Sequence, residues 1–335
     1  MKHSEAEQSA VQVGAIPQTM RAAAVDRFGG PQALRIHELP VPRPGANEVL
    51  IALDTAGVGG WDASFRDGSS KSETNRMPLV LGTDGAGTVV AVGARARRLK
   101  PGDQVYAYSY DNPKGGFYAE YVAVAAAKVA PVPAGLDLVH AGAIPTIALT
   151  ALQGVDDALE LKRGETLIVH GASGNVGMLA VQFAKRRGAY VIASASGADG
   201  AAFVRRLGAD VVIDGKRQDI GSATRARAPH GVDAVLAFVG GKALTRALDL
   251  LRKGGRVAHP NGIEPAPKKR RGLKFTAYDG EPGVREFERL AAAIEQAKLQ
   301  IPLAESFELS EAARAHARLG KGHVLGKIVL RIRAA

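Results

Sequence analysis

Thr166-Leu167-Ile168-Val169-His170-Gly171-Ala172-Ser173-Gly174-Asn175-Val176-Gly177 decides the fold. The first five residues are a short apolar run of strand type, and the next seven form a turn of small residues. Apolar side chains then recur at helical spacing at Val176, Leu179, Ala180, Phe183 and Ala184, and a second strand pattern starts at Tyr190. A strand, a tight turn, a helix and a strand within about 30 residues make the unit that binds a dinucleotide. Each small residue has a physical task. Ala172 stands where the chain turns, Gly174 where a Cβ would keep the backbone from a pyrophosphate, and Gly177 where helix and strand pack closely. Ser173, Asn175 and Val176 complete the turn, whose free N–H groups and helix dipole favour an anion.

Outward from this stretch the same alternation continues. Strands are expected at Thr166–His170, Tyr190–Ala195, Val211–Asp214, 234–239, 256–260 and Lys274–Tyr278, with helices over 176–187, 201–207 and 242–251. Six strands alternating with helices define a complete parallel Rossmann sheet in an α/β chain. The end of its second strand reads Ser194-Ala195-Ser196, with no acid before Asp199. An acid there would bind the ribose 2′-hydroxyl of NAD; hydroxyls suit the extra phosphate of NADP. Ser194 and Ser196 are the expected phosphate donors, with charge available from Arg205, Arg206, Lys216 or Arg217. The expected cofactor is NADP, and Asp in place of Ala195 is expected to reverse that preference. Glycines after the next two strands, in Phe238-Val239-Gly240 and Pro260-Asn261-Gly262, allow close backbone approach.

The first 140 residues have another texture: short strand-like runs at 22–28, 34–39, 48–56, 88–92, Gln104–Tyr108 and 118–124, punctuated by Gly and Pro. They read as a partly closed barrel. A helix over 137–153 links it to the Rossmann unit, and the segment after Glu281 is expected to return to the barrel with two helices and a last strand, 324–331. The assignment is a disordered extension over 1–19, a catalytic domain over 20–142, a cofactor domain over 143–284 and a C-terminal return over 285–335. The 335 residues contain no cysteine, which excludes disulfides, thiolate metal ligands and thiol nucleophiles. No run is long and apolar enough for a membrane span, and residues 1–19 lack the middle of a signal peptide, so the cytoplasm is the expected compartment. The net charge of +11 has one dense cluster, Lys268-Lys269-Arg270-Arg271, without interleaved aromatics, and specific nucleic-acid binding is not expected.

Phe28-Gly29-Gly30-Pro31, Leu81-Gly82-Thr83-Asp84-Gly85-Ala86-Gly87, Lys100-Pro101-Gly102-Asp103, Leu149-Thr150-Ala151, the Gly171 turn, Leu207-Gly208-Ala209-Asp210 and Gly326-Lys327 occur in this order along nearly the whole chain. With this set the chain resembles the zinc-independent quinone oxidoreductase branch of the medium-chain dehydrogenase/reductase family. The resemblance implies a GroES-like barrel as the catalytic domain and a homodimer. Zinc relatives carry a Cys near 57–60, a Gly-His-Glu and a second Cys. The corresponding segments here are Gly57-Val58-Gly59-Gly60-Trp61-Asp62 and Gly82-Thr83-Asp84, so no metal site is expected. Quinone reductases commonly carry Asn-Pro where this chain has Gly59-Gly60, which implies a remodelled substrate pocket.

Without a metal, the protein has to place an acceptor against the nicotinamide, exclude water and donate a hydrogen bond to the acceptor oxygen. The expected reaction is hydride transfer from NADPH to a quinone or α,β-unsaturated carbonyl, with Trp61, Asp62, Tyr108 and Thr150 as catalytic residues. Thr146, Phe238, Val239, Gly240, Asn261 and Gly262 are expected along the cofactor. Lys327, by resemblance, is expected at its adenosine-phosphate end. Two alternatives are an enoyl-thioester reductase, with the 268–271 cluster attracting coenzyme A phosphates, and a non-catalytic nucleotide- or RNA-binding protein.

Overall fold

The structure, a computed structural model, describes residues 15–70 and 76–333. Most of the extension read over 1–19 lies outside the described residues, and Thr19 already belongs to the first strand. That strand, β1 (Thr19–Val25), pairs antiparallel with β2 (Leu34–Pro40), setting Ala22 opposite His37. β3 (Glu48–Val58) is the longest strand of the first half. It is followed by a helix the sequence did not announce, α1 (Gly60–Asp67). Gly59-Gly60 disguises its start, but Asp62 at the third helical position caps the Gly59 N–H and Gly68, at φ +81°, ends it. β4 (Leu79–Val80), β5 (Asp84–Val92), β6 (Gln104–Tyr108), β7 (Tyr121–Ala125) and β8 (Val129–Pro131) complete the barrel side.

The single helix expected over 137–153 is two, α2 (Leu138–Ala143) and α3 (Pro145–Gln153). Pro145 has no N–H to continue α2 and its fixed φ suits the first position of a new helix. Then come β9 (Thr166–His170), α4 (Asn175–Arg186), β10 (Tyr190–Ala195), α5 (Gly197–Arg206), β11 (Val211–Asp214), α6 (Ile220–Arg225), β12 (Val232–Ala237), α7 (Lys242–Leu248), β13 (Leu251–Pro260) and β14 (Lys274–Tyr278). All six strands run parallel in the order β11-β10-β9-β12-β13-β14. Chain order reverses between β9 and β12, so a crevice opens beyond their carboxyl ends, where ligands bind in open α/β sheets.

The remaining elements are α8 (Val284–Ala297), β15 (Leu303–Glu308), α9 (Ala312–Gly320) and β16 (Lys327–Arg331). β15 is a strand the sequence reading did not separate. β16 pairs antiparallel with β3, Ile328 opposite Val58, so the C-terminal segment returns to the barrel sheet, β15-β16-β3-β5-β6-β8 with β7 beside β3. α8 behaves differently. Its Phe287, Leu290 and Ala293 are buried in one apolar core that also takes Tyr106 from the barrel, Leu149 from α3 and Leu179 from α4. The rings of Tyr106 and Phe287 meet edge to face at 4.9 Å. Among the described residues no helix is long and apolar enough to cross a membrane.

Candidate active site

The turn between β9 and α4 follows from its glycines. Gly171 sits at φ +83°, with Phe238 and Val239 packed over it. A Cβ on Gly177 would lie 2.3 Å from the Gly171 carbonyl oxygen and 2.7 Å from Ala172 Cα, so the start of α4 rests on the turn itself. Ala172 is fully buried, and its N–H donates to the Ser194 carbonyl at 2.9 Å. A Cβ on Gly174, in contrast, would meet nothing closer than 3.4 Å, and no side chain caps α4. The Asn175 Oδ1 is buried without a partner. Open space, free amides and an orphaned polar atom at one helix start fit a dinucleotide pyrophosphate.

Two clefts flank this turn. The outer one, about 740 Å³, is lined by Ser173, Gly174 and Ser196 and by basic side chains the sequence reading had only partly found: Lys216, Lys242 and Arg246. Lys242 and Arg246 are one helical turn apart on α7, a spacing that could have revealed them. Arg246 also bonds Asp219 at 2.6 Å. Of the two serines proposed for a 2′-phosphate, Ser196 is exposed in this cleft. Ser194 also lines this cleft but is buried, and its Oγ accepts the Gly171 N–H at 3.2 Å and lies 2.7 Å from His170 Nδ1. Burial pushes the His170 pKa down to about 4, so the pair is a neutral pin under the turn. Val239 lines the outer cleft, whereas Phe238 supports the turn through its N–H to the His170 carbonyl. Gly240 is corrected, because a Cβ there would strike the Pro265 carbonyl at 2.2 Å; its close approach is to the protein's own backbone.

The inner cleft, about 450 Å³, is lined by Trp61, Tyr108, Thr146, Thr150, Val176 and the 260–262 turn with Asn261 and Gly262. Elements far apart in sequence meet in its floor. The Trp61 Nε1 donates to Thr83 Oγ1 at 2.7 Å, and Thr83 Oγ1 lies 3.5 Å from Thr146 Oγ1. The Thr146 N–H donates to Asp84 Oδ2 at 3.0 Å, and Thr150 Oγ1 donates to the Thr146 carbonyl at 2.8 Å. Tyr108 is nearly buried, and burial, with Asp84 and Glu281 nearby, pushes its pKa well above the usual tyrosine range. It therefore stays protonated, a donor facing the cleft. Asn261 lines the wall and donates to Asp279 at 2.8 Å.

Asp62 and Lys327 need correction. Asp62 does not line the cleft; it is fully buried beneath Trp61 as the α1 capping carboxylate, accepting from the Gly59 N–H at 2.7 Å and the Tyr118 hydroxyl at 3.1 Å. Behind Tyr118 lie His316 and Arg66. Arg66 can only donate, so it donates to His316 Nδ1 at 2.9 Å; burial lowers the His316 pKa to about 3, leaving one proton on Nε2 to donate to Tyr118. Tyr118 in turn donates to Asp62. Lys327 does not reach the adenosine end. Its place in β16 beside β3 turns it inward, fully buried, with Nζ 4.9 Å from the Trp61 ring centre and no hydrogen-bond acceptor. A Cβ on Gly57 would touch both Asp84 Oδ1, at 2.5 Å, and Lys327 Cε, at 3.0 Å, so the lysine stem passes near Asp84, although neither Lys327 Nζ nor Asp84 Oδ1 has a hydrogen-bond partner. This donor set does not fit a zinc ion. The chain has no cysteine, and among the described residues no group of three or more His, Asp or Glu side chains is placed to hold a metal ion. Of the basic cluster, Arg270 is tied to Asp249, whereas Lys268, Lys269 and Arg271 are exposed and line neither cleft.

Asp62 gives stability a definite pH dependence. Burial, with Asp84 adding to it, raises its pKa to about 7 against the Gly59, Lys327 and Tyr118 contributions. The folded state thus holds a proton between pH ~4 and ~7 that the unfolded chain releases, and stability falls as pH rises through this window. Urea unfolding should show the wild type losing on the order of 2 kcal/mol relative to Asp62→Asn between pH 5 and 8. A constant difference across that range would refute the assignment.

Comparisons with known proteins place the chain. Residues 45–134 match the alcohol dehydrogenase GroES-like domain and residues 207–330 the zinc-binding dehydrogenase family. The quinone oxidoreductase of Lama guanicoe is 32% identical over 93% of this chain and 97% of its own length. The chloroplastic NADPH-dependent alkenal/one oxidoreductase of Arabidopsis thaliana is 31% identical over 98% and 84%. The solved quinone oxidoreductase of Coxiella burnetii is 30% identical with a TM-score of 0.84, covering 94% of this chain and 100% of that one. The chain belongs to the medium-chain dehydrogenase/reductase family, in its quinone oxidoreductase-like branch. It is an oxidoreductase with a GroES-like domain and a nicotinamide-dinucleotide-binding fold.

Proposed function

We propose that the protein is an NADPH-dependent, zinc-independent reductase of quinones or α,β-unsaturated carbonyls. The observation that carries the cofactor choice is the outer cleft. Ser196 stands at the end of β10 with Lys216, Lys242 and Arg246 around the same space, and Asp219 there is already paired with Arg246. Such a corner attracts a 2′-phosphate through charge-assisted hydrogen bonds. Ser173, Gly174, Asn175 and Val176 would hold the pyrophosphate and Thr146, Asn261 and Gly262 the nicotinamide end. NADPH, when bound, supplies the hydride.

The chain's own contribution is positioning and polarisation in the inner cleft. Trp61 offers a flat face to a planar acceptor, stiffened by its bond to Thr83. Tyr108 donates to the acceptor oxygen on which charge develops, and Thr150 lines the opposite helix wall. Asp62 acts from below, by fixing the start of α1 and so the indole. The reading includes a homodimer, supported by the β14 edge, whose far side is unpaired among the described residues, and a cytoplasmic setting.

The test follows NADPH and NADH oxidation against a panel of quinones, enones and enoyl thioesters. kcat/KM for NADPH should exceed that for NADH by at least about tenfold, equivalent to ~1.4 kcal/mol. Ala195 lines the same cleft but is only 5% exposed and packs in the core. Ser196→Asp, at the exposed position, should invert the ratio. Turnover confined to thioesters would refute the acceptor class, and a wild-type preference for NADH the cofactor reading.

A further inference from the structure

An acid does stand near the end of β10. Asp199 lies in the first turn of α5, three residues beyond Ser196. A carboxylate in this region ordinarily accepts the ribose diol of NAD and repels the phosphate of NADP. Here it is engaged: Asp199 Oδ2 lies 2.6 Å from His323 Nε2. This contact holds the Asp199 carboxyl below its usual range, so the acid remains ionised.

His323 comes from 124 residues further along the chain, in the loop that leads from α9 into β16. It adopts φ +50°, and with Val324 and Leu325 it lines the outer cleft. A Cβ on Gly197 would find Asp199 Oδ1 at 3.0 Å, Lys216 Nζ at 3.9 Å and His323 Cε1 at 4.0 Å. Three polar side chains from three separate segments therefore close on one point beside Ser196. Lys216 is set there by Asp214, whose Oδ1 accepts both the Gly197 and the Lys216 N–H, at 2.9 and 3.0 Å. The Asp199 and His323 side chains are 63% and 44% exposed. A pair that open to water adds little to stability, and its distinguishing property is that its histidine lines the cleft.

We propose that His323 is a cofactor-specificity residue: it occupies the Asp199 carboxylate, withholds it from the ribose 2′-hydroxyl, and so leaves the corner formed by Ser196 and Lys216 to a 2′-phosphate. The proposal rests on the NADPH reading of the outer cleft. Without the imidazole, Asp199 is free to face that corner, where it accepts a diol and opposes a phosphate. The effect of losing His323 thus depends on Asp199 being an acid, and coupling of this kind is what a double-mutant cycle measures.

The experiment titrates 2′,5′-ADP and 5′-AMP, which differ by the 2′-phosphate alone, into the full-length protein by calorimetry. The wild type, His323→Ala, Asp199→Asn and the double variant are compared. His323→Ala should lower the preference for 2′,5′-ADP about tenfold, the change in Kd that ~1.4 kcal/mol produces. In the Asp199→Asn background the same substitution should leave the preference within about twofold. An unchanged preference in His323→Ala overturns the proposal. So does an equal loss in both backgrounds, which would make His323 a direct phosphate ligand acting independently of Asp199. A wild type that binds 5′-AMP as tightly as 2′,5′-ADP would instead overturn the NADPH reading. Because both side chains are exposed, unchanged melting temperatures should accompany all four proteins.

Discussion

Lys327→Met lowers the stability of the fold by about 1–3 kcal/mol at neutral pH, because it removes the buried positive charge that favours the ionised form of Asp84. The lysine is fully buried at the start of β16, its stem passes near Asp84 and its Nζ lies over the Trp61 ring. Met matches its stem in volume but leaves the Asp62 and Asp84 carboxylates in the same dry space. Burial already raises the Asp84 pKa, and Lys327 is the largest influence holding it down. In the variant that pKa rises further, so Asp84 takes up a proton on folding. Stability is then fully present only below the unfolded carboxylate range and declines as pH rises through the raised value. The deficit should accordingly shrink toward pH 5 and should shrink at pH 7 when Asp84→Asn is added. Urea unfolding of the three proteins at both pH values measures it, and a deficit below ~1 kcal/mol at pH 7 would show that the lysine charge contributes little.

Gly174→Val and Gly177→Val separate binding from folding within one turn. Valine at 174 suits the local φ of −78° and ψ of 169°, and its Cβ meets ordinary contact distances. The protein should melt as the wild type does. Its isopropyl group, however, fills the open side of the α4 start, and NADPH and NADH should both bind at least ~100-fold more weakly, ~2.7 kcal/mol. At 177 the clash is with backbone, at 2.3 and 2.7 Å, and neither atom can turn aside. Gly177→Val should lose about 3 kcal/mol of stability or more. Calorimetric titration with both cofactors, beside thermal melts, checks the pair. A Gly174→Val protein that binds cofactor normally would place the pyrophosphate elsewhere.

The contrast between these residues shows what a sequence displays. β9, the glycine turn and α4 form a local pattern, because strand and helix periodicities and the small residues between them lie within a few positions. The six-stranded sheet was legible for the same reason. The inner cleft was legible only in pieces: Trp61, Tyr108 and Thr146 could be named, but not the floor they share with Thr83 and Asp84, which forms when β5, α1 and α3 pack together. Lys327 illustrates the failure. A lysine near the C-terminus reads as exposed, and burial appears only once β16 has joined β3. Ser194 shows another limit, since a hydroxyl at a strand end gives no sign that a buried histidine, His170, lies within hydrogen-bond distance of it. His323 and Asp199, both exposed and distant in sequence, carried no signal of their meeting.

The apolar core that runs beneath both sheets also limits how this chain can be divided or recombined. Each half has its own strands, yet α8 lays Phe287 against Tyr106 of the barrel and Leu290 and Ala293 into the core shared with α3 and α4. A cut after the barrel would leave Tyr106 without its partner ring, and a cut before α8 would open the flank of the cofactor sheet to water. Exchange of one half for that of a relative would therefore have to carry α8 with whichever side keeps its packing, and the modular boundary lies along a side-chain seam, not at a point in the chain.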